Sequence, residues 1–270
     1  MSEHNAQVSV LKATVPKRLA KQFRLNSKGE LIKEKAGDLV RGHYERHTVA
    51  GVQGLAEIVQ SLKPNQALCF GVAAPESSPI ASRDAARDGD ITRTRDCFDW
   101  PGGPGFLFLD YDPSATGEAL TPDALYETLQ SVCPALGRAP IATGVSGSSW
   151  IFNRETNERL RGSRGLRMWV NVADCRDIPR AGRVLFDRLW LAGHGYYGVS
   201  DSGALLERGL IDLTMWQPER LDFASGASCV PPLEQRRPEP GTINPDAEPL
   251  DTSTALPDLN EAERAQLADA

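Results

Sequence analysis

The stretch Phe106-Leu107-Phe108-Leu109-Asp110-Tyr111-Asp112-Pro113 decides the reading of this chain. Four apolar residues in succession read as a buried strand. Pro101-Gly102-Gly103-Pro104-Gly105 ahead of it and Pro113 behind it supply the turn residues that bound one. Side chains at i and i+2 of a strand share a face, so Asp110 and Asp112 converge on one point at its carboxyl end. Two ionised carboxylates held that close need a cation, or one of them keeps its proton. A divalent metal is the simplest solution, and carboxyl ends of sheet strands are where ligands commonly bind. The alternative is a solvated Asp-x-Asp at a strand end.

Around this strand the chain alternates short elements. Pro16 to Phe23 reads as a short basic helix, and Arg24 to Lys33 as a hairpin turning at Ser27-Lys28-Gly29. Thr48 caps a helix to about Leu62, whose apolar residues Val49, Val52, Leu55, Ile58, Val59 and Leu62 recur at helical spacing. A strand follows at Ala67 to Val72. Residues 75–97, charged and without apolar periodicity, read as a loop folded over something. Thr121 caps a helix from Pro122 to about Val132, and a strand lies near Ala139 to Thr143. A Gly-, Ser- and Arg-rich connection from Gly144 to Arg164 leads into the strand Leu166 to Val172. Pro179 opens a helix that ends at Gly193, and two short strands flank Ser202-Gly203. His194, just past that helix end, reads as a surface residue favoured by the helix dipole.

Composition bounds the rest. The chain has 270 residues, enough for one full core and a small extra module, and a net charge of −6. The sum hides an asymmetry: residues 1–50 carry ten Lys and Arg against five acids, whereas residues 239–270 carry eight acids against Arg264 alone. A basic front suits nucleic acid. Five scattered cysteines, with no Cys-x-x-Cys pair, fit reduced thiols in a cytoplasm. The opening residues lack an apolar signal core, and no stretch approaches the roughly 18 apolar residues of a membrane span. Seven prolines between Pro231 and Pro257 read as a tether without a core of its own, and Asn260 and Glu263 as the capping box of a terminal helix. The expected organisation is a basic helix and hairpin over 1–38, a main domain over 39–230, a linker over 231–257 and a helix over 258–270.

Three further constellations bear on what a metal would do. Gly162-Ser163-Arg164-Gly165-Leu166-Arg167 is a flexible turn with two guanidinium groups entering a strand, suited to phosphate oxygens. A solvated Gly-Ser-Arg loop is the alternative. Leu210-Ile211-Asp212 places an acid after two apolar residues, as a ligand or as a capping Asp. Arg220-Leu221-Asp222-Phe223-Ala224-Ser225-Gly226 sets an arginine eight residues beyond Asp212.

Taken in order these pieces resemble the archaeo-eukaryotic primase, or prim-pol, superfamily in the form carried by plasmids, phages and mobile elements. Leu109-Asp110-Tyr111-Asp112 matches its first motif, an apolar strand ending in Asp-x-Asp. Ser163-Arg164-Gly165-Leu166-Arg167 stands where the second motif is usually Ser-x-Gly-x-His, with arginine in the histidine position. Ile211-Asp212 matches the third, and Arg220 to Gly226 the arginine and turn that follow it. The resemblance covers roughly Leu39 to Gly226.

That resemblance implies an α+β fold, with an RRM-like catalytic half packed beside a smaller α/β half. It implies a DNA-dependent primase or primase-polymerase that joins nucleoside triphosphates on a single-stranded DNA template. Asp110, Asp112 and Asp212 would be the catalytic ligands of Mg²⁺ or Mn²⁺, and Ser163, Arg164, Arg167 and Arg220 would hold the triphosphate. The template is expected on Lys17, Arg18 and Lys21, with a replicative helicase as a partner and no membrane. Two other readings stay open: a non-catalytic replication or origin-binding protein, favoured by the altered second motif, and a metal-dependent phosphoesterase acting on nucleic acid.

Overall fold

The structure is a computed structural model that describes residues 5–35, 37–113, 119–200 and 202–269. The opening Met1 to His4 lies outside the described residues. The N-terminal part runs β1 (Asn5–Val15), β2 (Gln22–Leu25), β3 (Leu31–Glu34), β4 (Arg41–Ala50), α1 (Gly51–Ser61), β5 (Gln66–Cys69), β6 (Val72–Ala73), β7 (Ser77–Ala81), β8 (Ile91–Thr92) and β9 (Phe98–Asp99). Its main sheet has the order β5-β1-β4-β7-β8, antiparallel except for the last pair. The long strand β1 serves two cores. Ala6, Val8 and Val10 on one face join the large core, whereas Leu11 and Ala13 on the other join a smaller one with Tyr44, Phe98 and Leu221.

Three expectations for this part are corrected. Pro16 to Phe23 forms no helix: the Leu19 and Ala20 amides both donate to the Pro64 carbonyl, at 2.9 Å each, and Phe23 is a fully buried residue of β2. Lys17, Arg18 and Lys21 therefore lie on an irregular segment that tertiary hydrogen bonds hold open. Thr48 caps nothing, because it sits in β4 opposite Gln7 of β1 and the helix begins only at Gly51. Strand pairing outweighs the helical spacing at Val49, whereas Val52 is in the helix. The hairpin of β2 and β3 forms where the turn residues place it. The segment at 75–97, which reads as a loop, instead contains β7 and β8, and both belong to the main N-terminal sheet, where pairing on β4 supplies what the missing apolar periodicity did not.

The second part runs β10 (Gly105–Tyr111), α2 (Pro122–Val132), β11 (Ile141–Val145), β12 (Ile151–Asn153), β13 (Arg159–Arg161), β14 (Leu166–Val172), α3 (Ile178–Leu189), β15 (Tyr196–Val199), β16 (Leu205–Arg208), β17 (Ser228–Cys229), β18 (Leu233–Gln235), β19 (Gly241–Ile243), α4 (Thr252–Ala255) and α5 (Glu261–Asp269). Its central sheet is antiparallel throughout, in the order β10-β14-β11-β19. Helix α1 packs against β11, β14 and β19, and α3 against β10. Strand β10 is apolar from Phe106 to Leu109 because both its faces are covered. Phe108 lies opposite Trp169, their rings stacked with centroids 5.6 Å apart. Thr121 caps α2 by accepting from the Ala124 amide.

The Pro-rich segment is the fourth correction. Far from being a tether, residues 231–257 contribute β18, which pairs with β12, and β19, which closes the edge of the central sheet on β11. The Leu250 amide donates to the Asn171 carbonyl at 2.9 Å, and Leu250 and Leu256 are buried. All seven prolines lie outside β18 and β19, where no ladder N–H is needed. The capping box before α5 forms reciprocally, Asn260 N to Glu263 Oε2 at 2.8 Å and Glu263 N to Asn260 Oδ1 at 2.9 Å. Among the described residues no helix is long and apolar enough to cross a membrane.

Candidate functional site

Cross-strand register builds the site. Asp110 lies directly opposite Arg167 in the β10–β14 pair, Tyr111 opposite Leu166, and the alternation continues so that Asp112 meets Gly165 just past the ladder. At Gly165 the approach is so close that a Cβ would stand 2.5 Å from Asp112 Oδ1 and 2.6 Å from the Tyr111 carbonyl oxygen. Glycine is required there by space, because any side chain would displace the carboxylate. Asp212 arrives from a distant part of the chain. Its backbone N–H donates to the Asp110 carbonyl at 3.0 Å, which lays Ile211-Asp212 along the free edge of β10. Its side chain also caps the following turn by accepting from the Thr214 amide at 2.9 Å, so the capping and site readings of Asp212 describe the same residue.

Asp110 and Asp212 border two cavities. One, of about 230 Å³, is polar and lined among others by Arg93, Arg167, Arg220 and Asp222. The other, of about 580 Å³, takes in Asp112 and the apolar side chains Phe186, Tyr196 and Leu205. Of the residues expected from the sequence, Asp110, Asp212, Arg167 and Arg220 thus share the smaller cleft, and Asp112 lies on its far side. Ser163 and Arg164 line neither cavity; Ser163 is exposed, and the Arg164 amide donates to Ser149 Oγ at 3.0 Å. Lys17 is exposed, while Arg18 is tied back to the Ala20 and Lys35 carbonyls and pairs with Glu34 at 3.7 Å.

Arg167 is wired into the interior. Its side chain is 8% exposed, stands 3.8 Å from Asp110 and 3.2 Å from Asp222, and donates to the Phe223 carbonyl at 2.9 Å. Asp222, wholly buried, also accepts from the Trp169 indole at 2.9 Å, and its backbone forms a two-way bridge with Leu68 of β5. Burial pushes the Asp222 carboxyl up, with Arg167, Trp169 and Arg237 pulling it back. Asp110 is pushed up to about 7: burial is the main cause, Arg167 opposes it, and the carboxylates of Asp112, Asp222 and Asp212 add to it. Arg93 and Arg220 line the same cleft as candidate ligands for an anion, and the arrangement gathers more carboxylate around Asp110 than Arg167 alone balances.

Such an excess suits a divalent cation held by oxygen donors, with Asp110, Asp112 and Asp212 as the available ones. Among the described residues no group of three or more His, Cys, Asp or Glu side chains is already gathered as a metal cluster. Three residues of the site were missed in the sequence. Asp222 stood inside the Arg220 segment, where only burial distinguishes it from a turn acid. Arg93, which lines the cleft, lies in the 75–97 segment and donates from Nη1 to the Glu219 carbonyl at 3.2 Å. Phe108 lines the cleft beneath the Arg167 guanidinium, 6.0 Å from its ring centre. No protein-family model, curated protein or solved structure matches the chain.

Proposed function

We propose that the chain is a prim-pol-like nucleotidyltransferase, a DNA primase or primase-polymerase that extends a strand on a single-stranded template. The observation that carries this reading is the Asp212 to Asp110 backbone hydrogen bond at 3.0 Å. It sets an acid from residue 212 beside the strand of Asp110 and Asp112, with Arg167 opposite. The order β10-β14-β11, with the succession β10-α2-β11-β14-α3 once the separate β12–β13 pair is set aside and the Asp212 segment on the open edge of β10, supports an RRM-like half. The N-terminal β-rich part packs beside it.

In this reading Asp110, Asp112 and Asp212 would hold Mg²⁺ or Mn²⁺, whose chemistry when bound is to activate the attacking 3′-hydroxyl and stabilise charge around the α-phosphate. Arg220 and Arg93 present guanidinium groups to triphosphate oxygens from one wall of the cleft. Arg167, fixed by Asp222 and the Phe223 carbonyl, takes the place of the family's histidine as a permanent cation. Its rigidity orients it without any need for protonation.

Arg167 also supports a second reading. Because an internal cation already stands 3.8 Å from Asp110, a protein that binds nucleic acid without synthesis would retain the same geometry. Labelled nucleoside triphosphates, a single-stranded template and Mn²⁺ separate the readings. Template-dependent extension is expected; strand binding with no product favours the second reading, and strand shortening would point to a phosphoesterase.

A further inference from the structure

A second group of cations lies on the Asp112 side of the site. Lys33 of β3 stands opposite Phe23 of β2, and Lys21, on the irregular segment just before β2, lies close enough to act on the Lys33 ammonium. The Arg161 guanidinium lies over the Phe23 ring, 6.0 Å from its centre, and Arg164 follows on the turn that carries Gly165 to Asp112. Two separate parts of the chain thus bring Lys21, Lys33, Arg161 and Arg164 together. Among the described residues none of the four forms an ion pair, and the Arg161 Nε is buried without a hydrogen-bond partner.

Clustering like charges is unfavourable, and its effect is visible. The Lys33 ammonium is held below its usual range by burial and by Lys21, Arg161 and Arg164, with Asp112 alone opposing. Arg161 is lowered likewise, by burial and then by Arg164. An anion would relieve this repulsion. None of the four residues lines either cavity, and Lys33 is exposed with the others half-exposed. An open surface fits an extended chain of phosphates better than a small molecule, which a pocket would enclose.

We infer that Lys21, Lys33, Arg161 and Arg164 form a platform for the phosphodiester backbone of a single nucleic-acid strand, leading it to Asp112. The inference deepens the proposed function and takes from it the identity of the anion. It moves the strand path from Lys17 and Arg18 to the β2–β3 hairpin and the β13–β14 turn.

Fluorescence anisotropy with a labelled single-stranded oligonucleotide, in chelator and without nucleotide, tests it. Lys33→Ala with Arg161→Ala should weaken binding at least tenfold at low salt. The slope of log affinity against log salt should flatten by about 0.7 for each cation removed. Affinity for free nucleoside triphosphate, measured separately, should stay within twofold. Arg161→Lys, which keeps the charge and tests for a mere packing role over Phe23, should retain the parental slope. Unchanged strand affinity and slope in the double variant, a parent that binds no strand, or an equal loss of triphosphate affinity would each overturn the platform. Because the measurement needs neither metal nor synthesis, a parent that binds through these residues and makes no product would refute the polymerase reading and leave the platform standing.

Discussion

Two sets of cations flank the Asp110–Asp112 strand, and they are used in opposite ways. On one side Arg167 is committed to Asp222 and the Phe223 carbonyl, and Arg237 to the Ala224 carbonyl. On the other, Lys21, Lys33, Arg161 and Arg164 have no ion-pair partner among the described residues and repel one another. The first set is built as a frame that fixes direction, and removing a member leaves a buried charge or acceptor unmet. The second is built as a surface whose partner comes from outside. Charge count alone would treat the two sets as equal; the presence of internal partners separates them.

The sharpest way to break this distinction lies at the acids both sets face. Asp110→Asn and Asp212→Asn are each expected to abolish template-dependent synthesis, read with labelled nucleotides, while strand binding survives. Asp110→Asn has a second, pH-dependent signature. The folded carboxyl titrates at about 7, against about 3.9 in an unfolded chain, so folding takes up a proton between these values. The contribution of Asp110 to stability is therefore most favourable below about pH 4 and falls as pH rises through 7. In chelator, thermal melts should show Asp110→Asn more stable than the parent above pH 7, with the difference vanishing toward pH 4. A constant difference across that range would remove the shifted proton from the account.

The framing role of the first set predicts the next effect. Asp222→Ala leaves Arg167 buried without its closest carboxylate and should cost about 3–5 kcal/mol in denaturant unfolding. Adding Arg167→Met should recover part of that, since the uncompensated charge goes too. If Asp222→Ala unfolds like the parent, the wiring is incidental. Arg167→Ala should raise the nucleotide KM about ten- to hundredfold, the loss of a charge-assisted hydrogen bond worth roughly 1.5–3 kcal/mol. Arg167→Lys should restore only part of it because an ammonium lacks the planar fork.

At the border between the sets, Gly165→Ala should destabilise by about 1–3 kcal/mol through the clash with Asp112 and the Tyr111 carbonyl. It should also depress synthesis more than strand binding. The smallest effect is expected where the sequence first placed the template. Lys17→Ala with Arg18→Ala should change the salt slope of strand binding by less than the Lys33 and Arg161 pair does, since Arg18 is occupied by Glu34 and backbone carbonyls. A larger effect there would return the strand path to the N-terminal segment.

Much of the site was legible because its signals are local. The apolar run from Phe106 to Leu109 can only be a covered strand, and the strand at Leu166 to Val172 and the helix at Pro122 to Val132 carry their own period and boundaries. Asp110 and Asp112 were named from their spacing and Asp212 and Arg220 through the prim-pol resemblance, and the cleft gathers Asp110, Asp212, Arg167 and Arg220. What was missed depends on partners far along the chain. Thr48 reads as a cap until β1, forty residues earlier, takes it into a ladder. The prolines after Cys229 read as a tether, yet the residues between them pair with Ile141 to Thr143 and Asn171.

By itself the amino-acid order determined the strand that ends in two carboxylates and the mixed α+β character, because turn residues, alternation and helical period act over a few residues. The tertiary structure alone decided that Asp212 joins Asp110, that Asp222 holds Arg167, and which cations are matched internally. Those relations rest on desolvation and on contacts between segments as far apart as residues 110 and 212, and a charge carries no mark in the sequence of whether its partner will be a buried aspartate or a phosphate from outside.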